Sequence, residues 1–125
     1  MTGVQTCALP ILALLMIIAY PTETREDFEY TKQWFKDRKE YADNITFVNL
    51  SFASILPGTQ LERKSELYGI KKGKFPSIWI NQRLNITSQE RINYLRELES
   101  ICRSCGFTTL TSEETIEHTN DDWEY

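Results

Sequence analysis

The chain is short of several residue types, and each shortage closes off a class of function. It holds one histidine and three cysteines, and only Cys102 and Cys105 lie near one another. An odd, scattered set of thiols does not staple a small secreted domain, so a reducing, cytoplasmic setting is expected. A structural zinc needs four ligands, and the only further nitrogen or sulfur candidates are His118 and Cys7, so no metal site is expected. Positive charge is scarce too. A net charge of −4 and a pI near 5.0 argue against the phosphate-neutralising surface that governs nucleic-acid affinity, and a nucleic-acid partner is not expected. There is no apolar run of the roughly 20 residues that a spanning helix requires, so no membrane partner is expected. No internal repeat is visible, and the triplets at Asn44, Asn49 and Asn85 that match glycosylation acceptors arise too easily by chance to carry weight.

What is present suits one modest α/β domain: 125 residues, 41% of them hydrophobic and 26% charged. The opening, Met1 to Ile11, lacks the charged n-region and cleavage site of a signal peptide. With a GTG start it back-translates to a string that resembles a common sequencing adapter. It is therefore read as an in-frame leader of foreign origin, with the gene truncated upstream of Leu12 and Cys7 without biological role.

From Leu12 to Ala19 every residue is apolar, which predicts a parallel strand buried on both faces. Tyr20 precedes Pro21, whose ring forces extended dihedrals on its neighbour and ends the run. Thr24 is placed to cap a helix with Glu26 and Asp27 in its first turn, and Phe28, Thr31, Trp34 and Phe35 recur at helical spacing to about Glu40, leaving Lys32, Lys36 and Lys39 for water. Ile45 to Phe52 predicts a second strand, with Asn49 and Ser51 on one face. Strand, helix and strand at this spacing make a βαβ unit with parallel strands, whose C-terminal ends meet at the loops 21–24 and 53–59, the edge where such folds bind ligands. Thr59 opens a short helix ended by Gly69, and Lys71 to Lys74 reads as a loop. Thr87 caps an amphipathic helix through Ile92, Leu95 and Cys102 to Gly106. The segment 108–125 is acidic and lacks apolar periodicity, and a flexible or loosely docked tail is expected.

Few of these residues demand a chemical role. Cys102 and Cys105 sit at a helix C-terminus, where the dipole disfavours thiolate, and read as packing residues. Glu23 and Asp27 are ordinary first-turn acids by position. Asn49 and Ser51 differ, because polar groups on a strand buried on both faces need partners, either each other or a ligand. No residue is assigned a catalytic role.

Two segments carry a family resemblance. Met16 to Thr31, MIIAYPTETREDFEYT, resembles the hydrophobic-Gly-aromatic-Pro-x-Glu-Thr segment of radical S-adenosylmethionine enzymes, and Asn49 to Ile70 resembles their later Pro-Gly-Thr segment, in the same order and at a similar separation. Trp79, Asn85-Ile-Thr and the Glu90-Arg91 helix ending in Cys102 and Gly106 are similar to members that add a cobalamin-binding domain. The resemblance implies a βαβ fragment of a partial (β/α)6 barrel over 12–70, followed by a C-terminal helical extension over 71–107. In the family a Cys-x3-Cys-x2-Cys loop holds a [4Fe–4S] cluster that cleaves S-adenosylmethionine to a radical. That motif is absent here, so the resemblance implies a fragment, inactive alone and without tight cofactor binding, whose first partner is the missing N-terminal part of the same protein. By motif match Ile17 would contact the adenine, Ala19 stands where the family has glycine, Glu23 would fix the loop beside the cofactor, and Asn49 and Ser51 would face the barrel interior near cofactor or an unidentified small-molecule substrate. Two alternatives stay open: an RNA-modifying methylthiotransferase-like member, to whose basic extra domain the acidic tail bears no likeness, and a self-contained α/β binding or scaffold module.

Overall fold

The computed structural model describes residues 12–111; the leader, Cys7, His118 and the acidic stretch from Ser112 onward lie outside them. The chain is α/β, with no cis peptide bond in the described residues. Strand β1 (Ala13–Ile18) leads into helix α1 (Arg25–Asp37), a 3-10 turn (Lys39–Asn44) and strand β2 (Phe47–Phe52). Two short helices, α2 (Gln60–Arg63) and α3 (Ser65–Tyr68), precede a hairpin of β3 (Ile70–Lys72) and β4 (Trp79–Asn81). The long helix α4 (Ser88–Ser104) and strand β5 (Thr109–Thr111) complete the described chain. The main sheet has the order β1-β2-β5 and is wholly parallel, and the hairpin forms a separate antiparallel pair. Three strands do not close a barrel. No helix among the described residues is long and apolar enough to cross a membrane.

Local chemistry sets the helix starts. Thr24 Oγ1 accepts from Asp27 N–H at 3.1 Å while Asp27 Oδ2 accepts from Thr24 N–H at 3.0 Å, a reciprocal cap that contributes about 1 kcal/mol. Thr59 and Thr87 cap α2 and α4 in the same sense, through Glu62 N–H and Glu90 N–H. Gly69, at φ 79°, ends α3 in the left-handed region, and a Cβ there would lie 2.8 Å from Arg83 Cβ. Glycine is therefore required twice over.

Helices α1 and α4 pack on one face of the sheet. Phe28 and Phe35 of α1 meet Tyr94, Leu95, Leu98 and Cys102 of α4 over Ile18, Val48 and Leu50. The Phe28 and Tyr94 rings stack at 4.3 Å with planes 4° apart, and Phe35 meets Phe107 edge-on at 5.3 Å. Full burial of each such aromatic side chain is worth about 2–3 kcal/mol. The buried face departs from the sequence pattern at Lys32, expected in water but only 9% exposed. Its Nζ reaches Glu97 of α4 at 2.6 Å and Glu29 at 2.8 Å, and lies 5.4 Å from the centre of the Phe28 ring. Two other expectations are corrected. Lys71 and Lys72, read as loop, lie in β3, because Ile70 and Trp79 are buried on either side of a strand pair. Thr109–Thr111, at the start of the expected loose tail, pair with Val48 to Leu50 as β5.

The second face of the sheet is not covered by any described element, against the expectation of strands buried on both faces. Leu15 is 75% exposed, Ile17 53% and Leu110 50%, while Asn49 and Ser51 of the central strand are half-buried among them. The helix layer covers only Leu14, Met16, Ile18 and their β2 counterparts, so the opposite parity is left open. Replacing Leu15 and Leu110 together by threonine is expected to change unfolding free energy by less than about 0.5 kcal/mol while weakening self-association in sedimentation velocity. A loss comparable to Leu95→Ala, about 2–5 kcal/mol, would mean that this face is covered.

Candidate functional site

The C-terminal edge of the parallel sheet is formed by the β1–α1 connection and the chain after β2. At the end of β1, Ala19 is fully buried and has φ 50°, a left-handed conformation that a side chain adopts at a cost of about 1–2 kcal/mol. Two contacts hold it there. Glu23 N–H donates to the Tyr20 carbonyl at 2.8 Å, closing a turn with Pro21 at its second position, and Glu23 Oε2 accepts from Ala19 N–H at 3.0 Å. Glu23 thus folds back over its own turn. Burial pushes its carboxyl up to about 7, the Ala19 N–H opposes this, and the nearby Asp27 charge adds to it.

Asn81 braces this turn from across the fold. The fully buried side chain donates from Nδ2 to the Pro21 carbonyl at 2.6 Å and to the Tyr68 carbonyl at 3.0 Å, and its Oδ1 accepts from Leu84 N–H at 3.1 Å. One amide therefore fixes both walls of a cleft of about 380 Å³ lined by Tyr20, Thr22, Gln60, Leu61 and Tyr68. Arg91 plays a parallel role beside β2. It is fully buried, with its guanidinium carbon 4.1 Å from the Trp79 ring centre and 4.8 Å from that of Phe52. Its Nη1 donates to the Ser77 and Trp79 carbonyls and its Nη2 to that of Ala53, which also accepts from Trp79 Nε1 at 2.8 Å.

The residues singled out by sequence fall into two groups. Ile17, Asn49 and Ser51 share the open face, Ile17 directly beside Ser51 and Leu15 beside Asn49. Among the described residues neither Asn49 nor Ser51 has a side-chain hydrogen bond, so the two do not satisfy each other as one alternative supposed. Ala19 and Glu23 lie instead at the sheet edge, joined by their hydrogen bond. Asn81, Arg91 and Trp79 were not foreseen as supports of that edge. Arg91 did leave a trace, since it shares a helix face with Leu95, Leu98 and Cys102, where a cation must be buried. No cluster of three metal-binding side chains occurs among the described residues. Burial pushes the Cys102 thiol up to about 12, with the neighbouring Cys105 and Glu99 adding to it, so this sulfur is a packing group at neutral pH.

Two outcomes follow from the hydrogen bonding at this edge. Asn81→Asp removes the donors to Pro21 and Tyr68 while keeping the shape, and is expected to cost about 2–4 kcal/mol in denaturant unfolding, at least as much as Asn81→Ala. Glu23 keeps its proton in the folded chain up to about pH 7 but loses it near its ordinary 4.5 when unfolded. Stability therefore falls as pH rises through that window and levels off above it, by on the order of 1 kcal/mol after allowance for the solvent on one side of the carboxyl. Glu23→Gln is expected to flatten this slope; an unchanged slope would place the titration elsewhere. No family model, no curated protein and no solved structure matches the chain.

Proposed function

We propose that residues 12–107 are the C-terminal part of the partial (β/α)6 barrel and following extension of a radical S-adenosylmethionine enzyme, and that the open sheet face with its C-terminal edge forms part of the cofactor and substrate surface. The support for this is concentrated at Ala19: the position where the family has glycine has φ 50°, the backbone conformation that glycine adopts without strain. The clasp of Glu23 on Ala19 N–H keeps that backbone in place. Ile17 offers apolar surface suited to the face of an adenine, and Asn49 and Ser51 offer polar groups free to meet a ligand on the same face. These residues fit the group that the resemblance implies.

On this reading β1 is an inner strand whose outer edge would pair with the preceding part of the same protein, which would also carry the cluster cysteines. S-adenosylmethionine and the iron–sulfur cluster supply the radical chemistry when bound, and cobalamin is the companion cofactor of the subgroup that 79–106 resembles. The role of this segment would be to bind and orient: Glu23 and Asn81 hold the edge, and Ile17 would offer its apolar side chain to the adenine. The chain alone would not turn over, and the whole enzyme would work in a reducing, cytoplasmic setting.

The upstream reading frame, recovered from intact genomic DNA and expressed with this segment, is expected to contain Cys-x3-Cys-x2-Cys. Reconstituted anaerobically with iron and sulfide, the longer protein should release 5′-deoxyadenosine from S-adenosylmethionine. Ile17→Asp is expected to lower that release by about tenfold or more, roughly 1.4 kcal/mol or more of binding or positioning, while the exposed Tyr30→Ala leaves it unchanged. An upstream frame without the cysteine motif would sink the proposal.

A further inference from the structure

The chain's acidity is not spread over the fold. All 14 Lys and Arg residues lie within 12–111, whereas Glu113, Glu114, Glu117, Asp121, Asp122 and Glu124 follow with no Lys or Arg among them. The described body is left with an excess of positive charge, and it is densest in 60–83, where Arg63, Lys64, Lys71, Lys72, Lys74 and Arg83 face only Glu62 and Glu66. Within this segment is a hollow of about 160 Å³ with an apolar floor of Ile55, Pro57, Phe75 and Ile78 and with Lys72 and Lys74 at its rim. Phe75 is 52% exposed, and Lys74 Nζ lies 5.8 Å from its ring centre. Glu62, the one acid in the lining, is already engaged: its carboxylate accepts from Gly58 N–H at 2.6 Å and pairs with Lys72 at 3.2 Å.

Topology ends the described chain near this place. Strand β5 runs parallel to β2, with Thr111 beside Leu50, so β5 ends on the side of the sheet from which 53–59 emerges. The hollow is tied to that edge, because Ile55 N–H donates to the Pro76 carbonyl at 2.8 Å. Residues 112–125 can span tens of ångströms at about 3.3 Å per residue, so reach is no obstacle. Their last five are Asp-Asp-Trp-Glu-Tyr, an aromatic flanked by acids, which complements an apolar floor with a lysine rim.

We propose that the hollow between Pro57 and Phe75 is the docking site of this chain's own C-terminal segment, with Trp123 on the apolar floor and Asp121, Asp122 and Glu124 toward Lys72, Lys74 and the neighbouring Lys71. The proposal is independent of the radical-enzyme reading.

Zero-length carbodiimide cross-linking of the full chain, with the monomer isolated and mapped by mass spectrometry, tests it. Tail carboxylates are expected to join Lys71, Lys72 and Lys74 about fivefold more often than Lys36 and Lys39 at low salt, with the preference lost near 1 M salt. Lys72→Glu with Lys74→Glu, at exposed positions and with the fold checked by circular dichroism, should abolish the preference. Trp123→Ala should weaken it, and an unchanged yield in that variant would remove Trp123 from the site. Equal linking to Lys36 and Lys39 would overturn the proposal, as would links found only between differently isotope-labelled copies, which would make a second molecule the occupant.

Discussion

The site edge depends on one buried cation. Arg91 carries a charge into the interior and is held there by ring faces and main-chain carbonyls: Trp79 and Phe52 on its faces, and Ser77, Trp79 and Ala53 at its nitrogens. Taking a guanidinium out of water is expensive, and the expense is met only when all of these partners are in place together. The arrangement is therefore all-or-none, and it joins helix α4, the hairpin and the end of β2 into one unit. Asn81 does the same with a neutral amide one strand position away from Ile80, reaching the turn after β1 and the end of α3. The two side chains convert four separate connections into a fixed edge.

Much of the frame was legible because its signals are local. Thr24, Thr59 and Thr87 each cap a helix within three residues of themselves, and the strand of apolar residues before Pro21 ends where the ring requires. The parity of β2 placed Asn49 and Ser51 on a common face with Ile17. The features that escaped are those whose partner is distant in sequence. Lys32 is buried because Glu97 waits for it on another helix, whose carboxyl is in turn held low by Lys32 and Arg25 against the opposing effect of burial. Asn81 and Arg91 bond to carbonyls that bear no residue identity at all, so no pattern of side chains announces them. The β3–β4 hairpin is hidden because three lysines and a glycine dominate its composition, while its packing rests on Ile70, Ile78, Trp79 and the buried amide of Asn81.

Formal net charge is non-local in a related way. A value of −4 describes the chain as a sum, and a sum conceals that residues 12–111 and 112–125 carry net charges of opposite sign. Electrostatic recognition responds to the local field and not to the total, within a screening length of about 8–10 Å. The apolar run from Leu12 to Ala19 shows the same limit: a stretch with no polar residue predicts a strand enclosed on both sides, yet among the described elements only one side meets the helices. Hydrophobicity set the strand, and the number of layers around it was a property of the rest of the fold.

The sheet order has a kinetic consequence. Each pairing in β1-β2-β5 joins strands that run the same way, so neither can be started by a tight turn, and both wait for a crossover to close. The first closes through α1, the second only after the hairpin and α4 have been threaded past β2. Because loop closure must precede the contacts that reward it, the β2–β5 pairing, whose crossover is the longer, carries the larger closure cost. During synthesis the helix-facing side of the β1–β2 pair would be covered by α1 alone until α4 emerges and Tyr94 can stack on Phe28, while the side bearing Leu15 and Ile17 is covered by no described element.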